Sequence, residues 1–329
     1  MLEKLGIVVN PVSGRGLARE HLAALIPRLA DYELSIFQTQ KNDRRLADYL
    51  TSLDAAGVIV IGGDGTLSHV VNAILTNNLT LPIGVIGGGT SNDFAVAINA
   101  HNWQNPKTPD EDYLQKIKDG RTQAVDVGLV NGERYFINVA SSGMATGIAH
   151  EVPQEYKNRW GKLAYYLQGV KSLPKFQSLK LRLKLDGKAE ELDAYFCLVL
   201  NSTVVAGFSN VAARAELTDG KLDIIVLKKC SLPNLVKLTS KLFAGSALNK
   251  LPDLPEGLPK LPLASLPKLP ALKELIPLEI EDDPNFLYYQ ASEVELSSDS
   301  PLESDIDGEH GPLLPLRVQV VPAAVRIFA

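Results

Sequence analysis

Cysteine is scarce in this sequence: of 329 residues only Cys197 and Cys230 carry a thiol, with no CxxC and no histidine cluster beside them. That argues against a disulfide framework and a structural zinc site, and it fits a reducing compartment. An excess of positive charge is missing too. Lys plus Arg total 33 against 38 for Asp plus Glu, a formal net charge of −5, so a protein that grips nucleic acid mainly through a basic surface is not expected. The amino terminus, MLEKLGIVVNP, lacks the apolar length of a signal peptide and runs straight into a strand-like pattern. The uncharged stretch 194–213 is long enough to span a bilayer, but Asn201, Ser202, Gly207 and Asn210 interrupt it. A soluble or peripheral protein is therefore expected, and at roughly 150 residues per domain the length suggests two domains.

The first 125 residues alternate short apolar runs with helical patterns. Residues 5–9, 34–37, 58–61 and 83–86 read as strands buried on both faces, as in a parallel sheet. Leu67, Val70, Val71, Ile74 and Leu75 form one helical stripe. Leu22, Leu25, Ile26 and Leu29 form another, which Pro27 should kink or end, and Leu46, Leu50 and Leu53 mark a third. Beyond residue 125 strands dominate. Residues 125–130 and 134–139 flank Asn131-Gly132, a two-residue hairpin signal. Leu179, Leu181, Leu183 and Leu185 alternate with Lys180, Arg182, Lys184 and Asp186, a half-buried strand with a basic outer face. Asp186-Gly187 turns into 192–200, and further strands are expected at 222–227, 294–296, 316–321 and 324–328. The expected fold class is α/β: a layered α/β nucleotide-binding domain over 1–125 and a mostly antiparallel β-rich sandwich or barrel over 126–329. The extreme carboxyl terminus is allowed to pack back on the first domain. Residues 249–279 form an insertion dense in Leu-Pro pairs, from Leu251-Pro252 to Leu269-Pro270, too rich in proline for helix or central strand.

Three glycine-rich turns follow three of the expected strands: Asn10–Gly16, Gly62–Thr66 and Gly87–Asp93. In a parallel sheet all three lie at the carboxyl edge, where open α/β folds bind ligands. Helices starting after Gly16, Thr66 and Asn92 would aim their amino ends at one place, suited to phosphate. The sequence contains no GxxxxGK[ST] and no GxGxxG after the first strand, which excludes a P-loop and a dinucleotide fold. Asp64 sits inside its turn, where a carboxylate would repel polyphosphate unless a divalent cation lay between them, so magnesium is implied. Asp64 also suits a helix amino-terminal cap together with Thr66.

The segments NPVSGRG, GGDGTLSHVVNAI and GGGTSNDFA resemble successive motifs of the diacylglycerol-kinase catalytic-domain family, in particular its soluble bacterial lipid kinases. The likeness continues through 124–128, 138–143, 217–223 and Asp307-Gly308-Glu309, and so spans nearly the whole chain. GGDGT is shared with NAD kinases and 6-phosphofructokinases, whereas Ser-Asn-Asp-Phe and the late Asp-Gly-Glu favour lipid kinases. The resemblance implies an ATP-dependent transfer to a lipid hydroxyl, with diacylglycerol as leading acceptor and phosphatidylglycerol, a sphingoid base or another lipid alcohol as substitutes. A soluble NAD-kinase-like phosphotransferase and a non-catalytic nucleotide-binding regulator are the rivals.

Carried onto this chain, the resemblance assigns ATP to Asn10, Thr39, Gly62, Gly63, Asp64, Gly65, Thr66, Leu67, Ser68 and Thr90. It assigns catalytic magnesium to Asp64, directly or through water, and general base to Glu309. Asp93, Asp126 and Asp307 would form an acidic network around metal and base. A second, structural magnesium would take the Asp219 carboxylate with the Glu216 and Lys221 carbonyls. Read alone, Asp307-Gly308-Glu309 is equally an exposed acidic turn beside Glu303 and Asp305. The implied setting is cytoplasmic, peripheral at the inner membrane face, with a membrane-borne lipid substrate and room for a homodimer. Two membrane-facing segments suggest themselves: the strand face of Lys180, Arg182 and Lys184, and a helix over 232–248 running into the Leu-Pro insertion.

Overall fold

The computed structural model describes residues 3–40, 43–89, 92–98, 100, 103, 105–143, 178–205, 208–209, 212, 214–231, 234–235, 238 and 283–329. Four parallel strands open the chain: β1 (Lys4–Val9), β2 (Glu33–Gln38), β3 (Gly57–Gly62) and β4 (Ile83–Gly87), side by side in the order β4-β3-β1-β2. Their apolar runs are explained by cover on both faces. One face of Val8, Val58, Val60 and Val85 meets α2 (Arg45–Ser52) and α3 (Asp64–Thr76). The other, with Leu5, Ile7, Ile59 and Ile61, meets α1 (Leu17–Leu25) and the later α5 (Glu111–Lys118). Pro27 acts as expected: α1 stops at Leu25 and a 3-10 turn, Ile26–Leu29, follows. The five-residue α4 (Asp93–Ala97) follows β4.

The rest is mostly antiparallel sheet. β5 (Thr122–Val130) turns through Asn131 and Gly132, both at positive φ, into β6 (Arg134–Phe136). The ladder resumes with Val130 opposite Arg134, so the loop holds Glu133 as well and is one residue longer than the dipeptide signal suggests. β7 (Val139–Gly143) is separate from β6, because Ile137 and Asn138 direct their N–H groups to Asp307 instead of to a neighbouring strand. β8 (Leu179–Leu185) and β9 (Lys188–Leu200) pair across Asp186-Gly187. A small ribbon, β10 (Val204–Val205) with β11 (Phe208–Ser209), precedes β12 (Leu222–Lys228). The closing strands are β13 (Phe286–Ala291), β14 (Glu293–Ser298), β15 (Ser304–Ile306), β16 (Glu309–His310) and β17 (Leu316–Phe328).

The two strands expected at 316–321 and 324–328 are one. β17 lies along β5 from Val318–Val130 to Phe328–Thr122, with a register shift between Val321 and Val325 where Ala323 takes φ 49. Its first part also pairs with β14, and Ile327 pairs in parallel with Ile83 of β4, so the carboxyl terminus returns to the first sheet. The outer face of β8 is not a free basic surface. Arg182 pairs with Glu191 and Asp299, and Lys184 with Glu295. In the expected helix over 232–248, residues 234, 235 and 238 are helical and Leu235 and Leu238 are buried; its other residues, apart from Asn234, and the Leu-Pro insertion lie outside the described residues. Among the described residues no helix is long and apolar enough to cross a membrane.

Candidate active site

The three glycine turns meet as one rim. Gly88 N–H donates to the Gly62 carbonyl at 2.8 Å. A Cβ on Gly89 would come within 2.5 Å of the Gly63 Cα, and one on Gly14, already at φ +57, would overlap the Gly88 carbonyl oxygen. Side chains here would force the turns apart. Asn10 Nδ2 donates to Thr66 Oγ1 at 3.1 Å and ties the first turn to α3. α3 starts at Asp64, three residues earlier than the sequence suggests, with Gly63 as its cap residue.

The expectation of helix amino ends converging on phosphate needs a correction at α4. Its first N–H groups are taken by Asp64: Asp93 N–H donates to Oδ2 and Phe94 N–H to Oδ1, both at 3.0 Å. The capping role foreseen for Asp64 is thus served on the neighbouring helix and not on its own. Asn138 Nδ2 adds a third donor to Oδ1 at 3.4 Å. The amino end of α3, by contrast, opens on a cleft that Gly63, Gly65 and Thr66 line.

That cleft, about 480 Å³, runs along α3 from Asn10, Ser13, Thr39, Gly63, Gly65 and Thr66 past Ser68, His69 and Asn72 to Arg134, Asp307 and Glu309. The Asp307-Gly308-Glu309 turn is therefore no isolated acidic loop. β15 and β16 form a hairpin around it, and Asp307 is fully engaged. Ile137 and Asn138 N–H donate to it at 2.9 Å, Val139 N–H at 3.1 Å, and the Ser68 side chain also reaches it. Burial nevertheless pushes its carboxyl up to about 6, against the pull of those donors. Asp305, also buried, is raised to about 6 for the same reason. Glu309 meets Arg134 Nη2 at 3.0 Å, with the two side chains 41% and 30% exposed, so the pair stands at the cleft wall in reach of ligand.

Asn138 joins the two ends. Its side-chain amide donates to Asp64, its own N–H donates to Asp307, and its Oδ1 accepts from Ser202 Oγ at 3.0 Å. Asn72 fastens β6 to α3, donating to and accepting from the main chain of Tyr135. Arg134, Asn72 and Ser202 escaped the sequence reading because each acts through partners scores of residues away, and nothing in their local pattern marks them.

Other expected site residues fall elsewhere. Asp126 is buried with both carboxylate oxygens bonded to main chain: Oδ2 accepts from Gly220 N–H and Oδ1 from Ala323 N–H, both at 2.7 Å. It fastens the 217–220 turn to the β17 bulge. The Leu67 side chain belongs to the core under α3. Thr39 is buried at the cleft edge. Asp93 is buried in the first turn of α4, beside Asp64, and Thr90 lies outside the described residues. In the 216–221 turn, Asp219 Oδ1 accepts from Lys221 N–H at 3.0 Å. Among the described residues no three His, Cys, Asp or Glu side chains gather as a metal cage. Magnesium needs no such cage, since it keeps waters and binds through one or two carboxylates with substrate phosphates. Asp64 suits that role: Oδ1 accepts twice and Oδ2 once, which leaves Oδ2 room for a metal-bound water.

Residues 4–130 match the family model of the diacylglycerol kinase catalytic domain, and residues 138–252 match that of the YegS C-terminal NAD kinase beta sandwich-like domain. A Bacillus subtilis (strain 168) protein named diacylglycerol kinase is 29% identical over 321 residues, covering 95% of this chain and 92% of its own length. A Staphylococcus aureus (strain JH9) protein of the same name is 29% identical over 333 residues, covering 100% and 93%. Two solved structures from Bacillus anthracis str. Sterne share the fold. One, described as a diacylglycerol kinase, superposes with a TM-score of 0.67 at 19% identity, covering 99% of this chain and 96% of its own. The other reaches 0.76 at 21% identity, covering 99% and 95%.

Proposed function

Because the chain belongs to the diacylglycerol-kinase catalytic-domain family, we propose that it transfers the γ-phosphate of ATP to a lipid hydroxyl, with diacylglycerol giving phosphatidic acid as the leading reaction. One observation carries this: a glycine-lined helix amino end and a carboxylate at hydrogen-bonding exposure, Glu309, share a single cleft. The first suits phosphates and the second suits a hydroxyl proton.

The residues divide the work along α3. Gly63 and Gly65 offer N–H groups to the phosphates, and the absence of side chains at the two glycines lets them approach; the Thr66 N–H is spent on the Gly63 carbonyl, which leaves its hydroxyl to face the cleft. Asp64 stands between the two glycines, with the Asp93 N–H on its carboxylate, and would hold magnesium through water. Bound there, magnesium would neutralise phosphate charge that this acid otherwise repels. Asp307 keeps the 137–139 main chain and Ser68 in place and so fixes the turn that presents Glu309. The lipid oxygen attacks the γ-phosphorus, its proton passes to the Glu309 carboxylate, and the bond to ADP breaks with its electron pair on the β-phosphate. Docking to the membrane that holds such a lipid would fall to the segment 232–248 and the Leu-Pro insertion, since the β8 face is neutralised by its own ion pairs.

The test is ATP consumption by the purified chain with magnesium and vesicles carrying diacylglycerol, phosphatidylglycerol or a sphingoid base in separate arms. Phosphatidic acid formation is expected in the first. Turnover only in another arm reassigns the acceptor, and no lipid-dependent turnover in any arm ends the kinase reading. Glu309→Ala should lower turnover strongly and leave the ATP Michaelis constant nearly unchanged.

A further inference from the structure

Phosphoryl transfer places more negative charge in this cleft than its visible cations balance. Asp307 and Glu309 line it and Asp64 sits between the lining residues Gly63 and Gly65, yet among its described lining residues there is one guanidinium, Arg134, and no lysine. Arg134 is held on three acceptors of the 306–310 hairpin. Nη2 donates to Glu309 at 3.0 Å and to the Ile306 carbonyl at 3.3 Å, and Nη1 donates to the His310 carbonyl at 3.2 Å. A guanidinium has five N–H donors. Two of them, one on Nε and one on Nη1, therefore meet no acceptor among the described residues, on a side chain that lines the cleft and is part-exposed. The backbone under Arg134 is rigid by comparison, because Asn72 grips Tyr135 from both sides.

We propose that Arg134 is a further catalytic residue, whose guanidinium, with one donor open on Nε and one on Nη1, binds oxygen of the γ-phosphoryl group as it passes from ADP to the acceptor hydroxyl. The inference rests on the kinase reading above and adds a residue to it. A guanidinium is permanently charged and more weakly hydrated than an ammonium, and its effect is greatest where charge spreads over the phosphoryl oxygens. Arg134 thereby also separates two like charges, since it stands bonded to Glu309 while it faces the phosphoryl group. As the acceptor proton reaches Glu309, that carboxylate loses its charge and its hold on Nη2, which frees the guanidinium for the phosphoryl oxygens. No other bond changes: phosphorus leaves the β,γ-bridging oxygen, joins the acceptor oxygen, and the proton ends on Glu309.

The experiment compares Arg134→Gln and Arg134→Lys with wild type for binding of magnesium ADP, alone and with aluminium fluoride, whose complex stands in for the phosphoryl group in flight. Expected is ADP affinity within about twofold of wild type, a loss of more than about tenfold for the fluoride complex in Arg134→Gln, and a kcat lowered about 100-fold or more at little changed ATP KM. Arg134→Lys should lie between. Free guanidinium should restore part of the turnover of Arg134→Ala, which a residue needed only for the hairpin would not allow. Equal loss of ADP and fluoride complex, or no loss of either, overturns the role of Arg134 alone. A wild-type chain that binds no magnesium ADP overturns the kinase reading, and this inference with it.

Discussion

A carboxylate that accepts from Asp93 N–H, Phe94 N–H and the Asn138 amide is not replaced neutrally by an amide. In Asp64→Asn one of the two oxygens becomes an NH2 that must face a donor. The exchange therefore removes charge and a helix cap together. Turnover should fall by orders of magnitude, and stability to urea should fall by about 1–3 kcal/mol. Unaltered unfolding would mean that Asp64 does not cap α4 in solution, and near wild-type turnover would remove it from the chemistry. The family resemblance points to Asp64, Asp307 and Glu309 as site residues but not to the direction in which each carboxylate faces. A second residue argument concerns His21, whose two ring nitrogens are buried without a partner beside Trp103. Burial lowers its pKa below the ordinary 6.5. The unfolded chain therefore takes up this proton first, so the stabilising contribution is complete above pH 6.5 and is lost as pH falls below it, by at most about 1.4 kcal/mol per unit. Asp305 and Asp307 run the other way. Their raised values mean that their cost to folding, present at pH 7, eases as pH drops from about 6 towards 4. Urea unfolding at pH 7.5 and 5.5 separates these. Wild type should lose stability relative to His21→Leu on acidification, and parallel curves would contradict the assignment.

Elements were legible where burial dictates pattern. β1, β3 and β4 are covered on both faces and read as continuous apolar runs, and the α3 stripe is complete because one side of that helix faces the sheet. β15 and β16 have three residues and two, too short for any periodicity, and they exist because Asp307 and Arg134 anchor the turn between them. In sequence the β17 bulge reads as a break, because the Asp126–Ala323 bond that holds it spans 197 positions. At β8 the alternation was legible and its consequence was not. The acidic partners of Arg182 and Lys184 come from β9, β14 and the residue after β14, strands that only the register brings opposite. Exposed pairs of this kind contribute about 0.2–1 kcal/mol each. Replacing Lys180, Arg182 and Lys184 together by Ala should thus cost little stability and leave sedimentation with anionic vesicles nearly unchanged. A large drop in vesicle binding would identify this face as the docking surface after all.

At the scale of the molecule, the strand that ends the chain completes the sheet that begins it. Val325 and Ile327 of β17 lie in the same core cluster as Val58, Val60 and Val85, together with Val127 and Ile137. Phe328 packs so closely on Gly57 that a Cβ there would come within 2.8 Å of its ring. Residues 1–125 taken alone would lack all five of these apolar side chains and would leave the β4 edge without β17. At about 1.5–3 kcal/mol for each large side chain removed from cover, the loss rivals the whole stability of an ordinary domain, about 5–15 kcal/mol. An exposed apolar β4 edge would also invite pairing between copies. The glycine turns of the cleft sit on β1, β3 and β4, so nucleotide binding should depend on residues more than two hundred positions away. The fragment 1–125 should therefore show no cooperative melting and no binding of magnesium ADP, and deletion of 322–329 from the full chain should lower its melting temperature steeply. Because β5 and β17 run side by side from the parallel strands into the antiparallel ones, the intact chain should unfold in one calorimetric transition whose heat matches its van't Hoff value. Two separate transitions, or a fragment that melts cooperatively and binds ADP, would mean that the parallel sheet stands without its last strand.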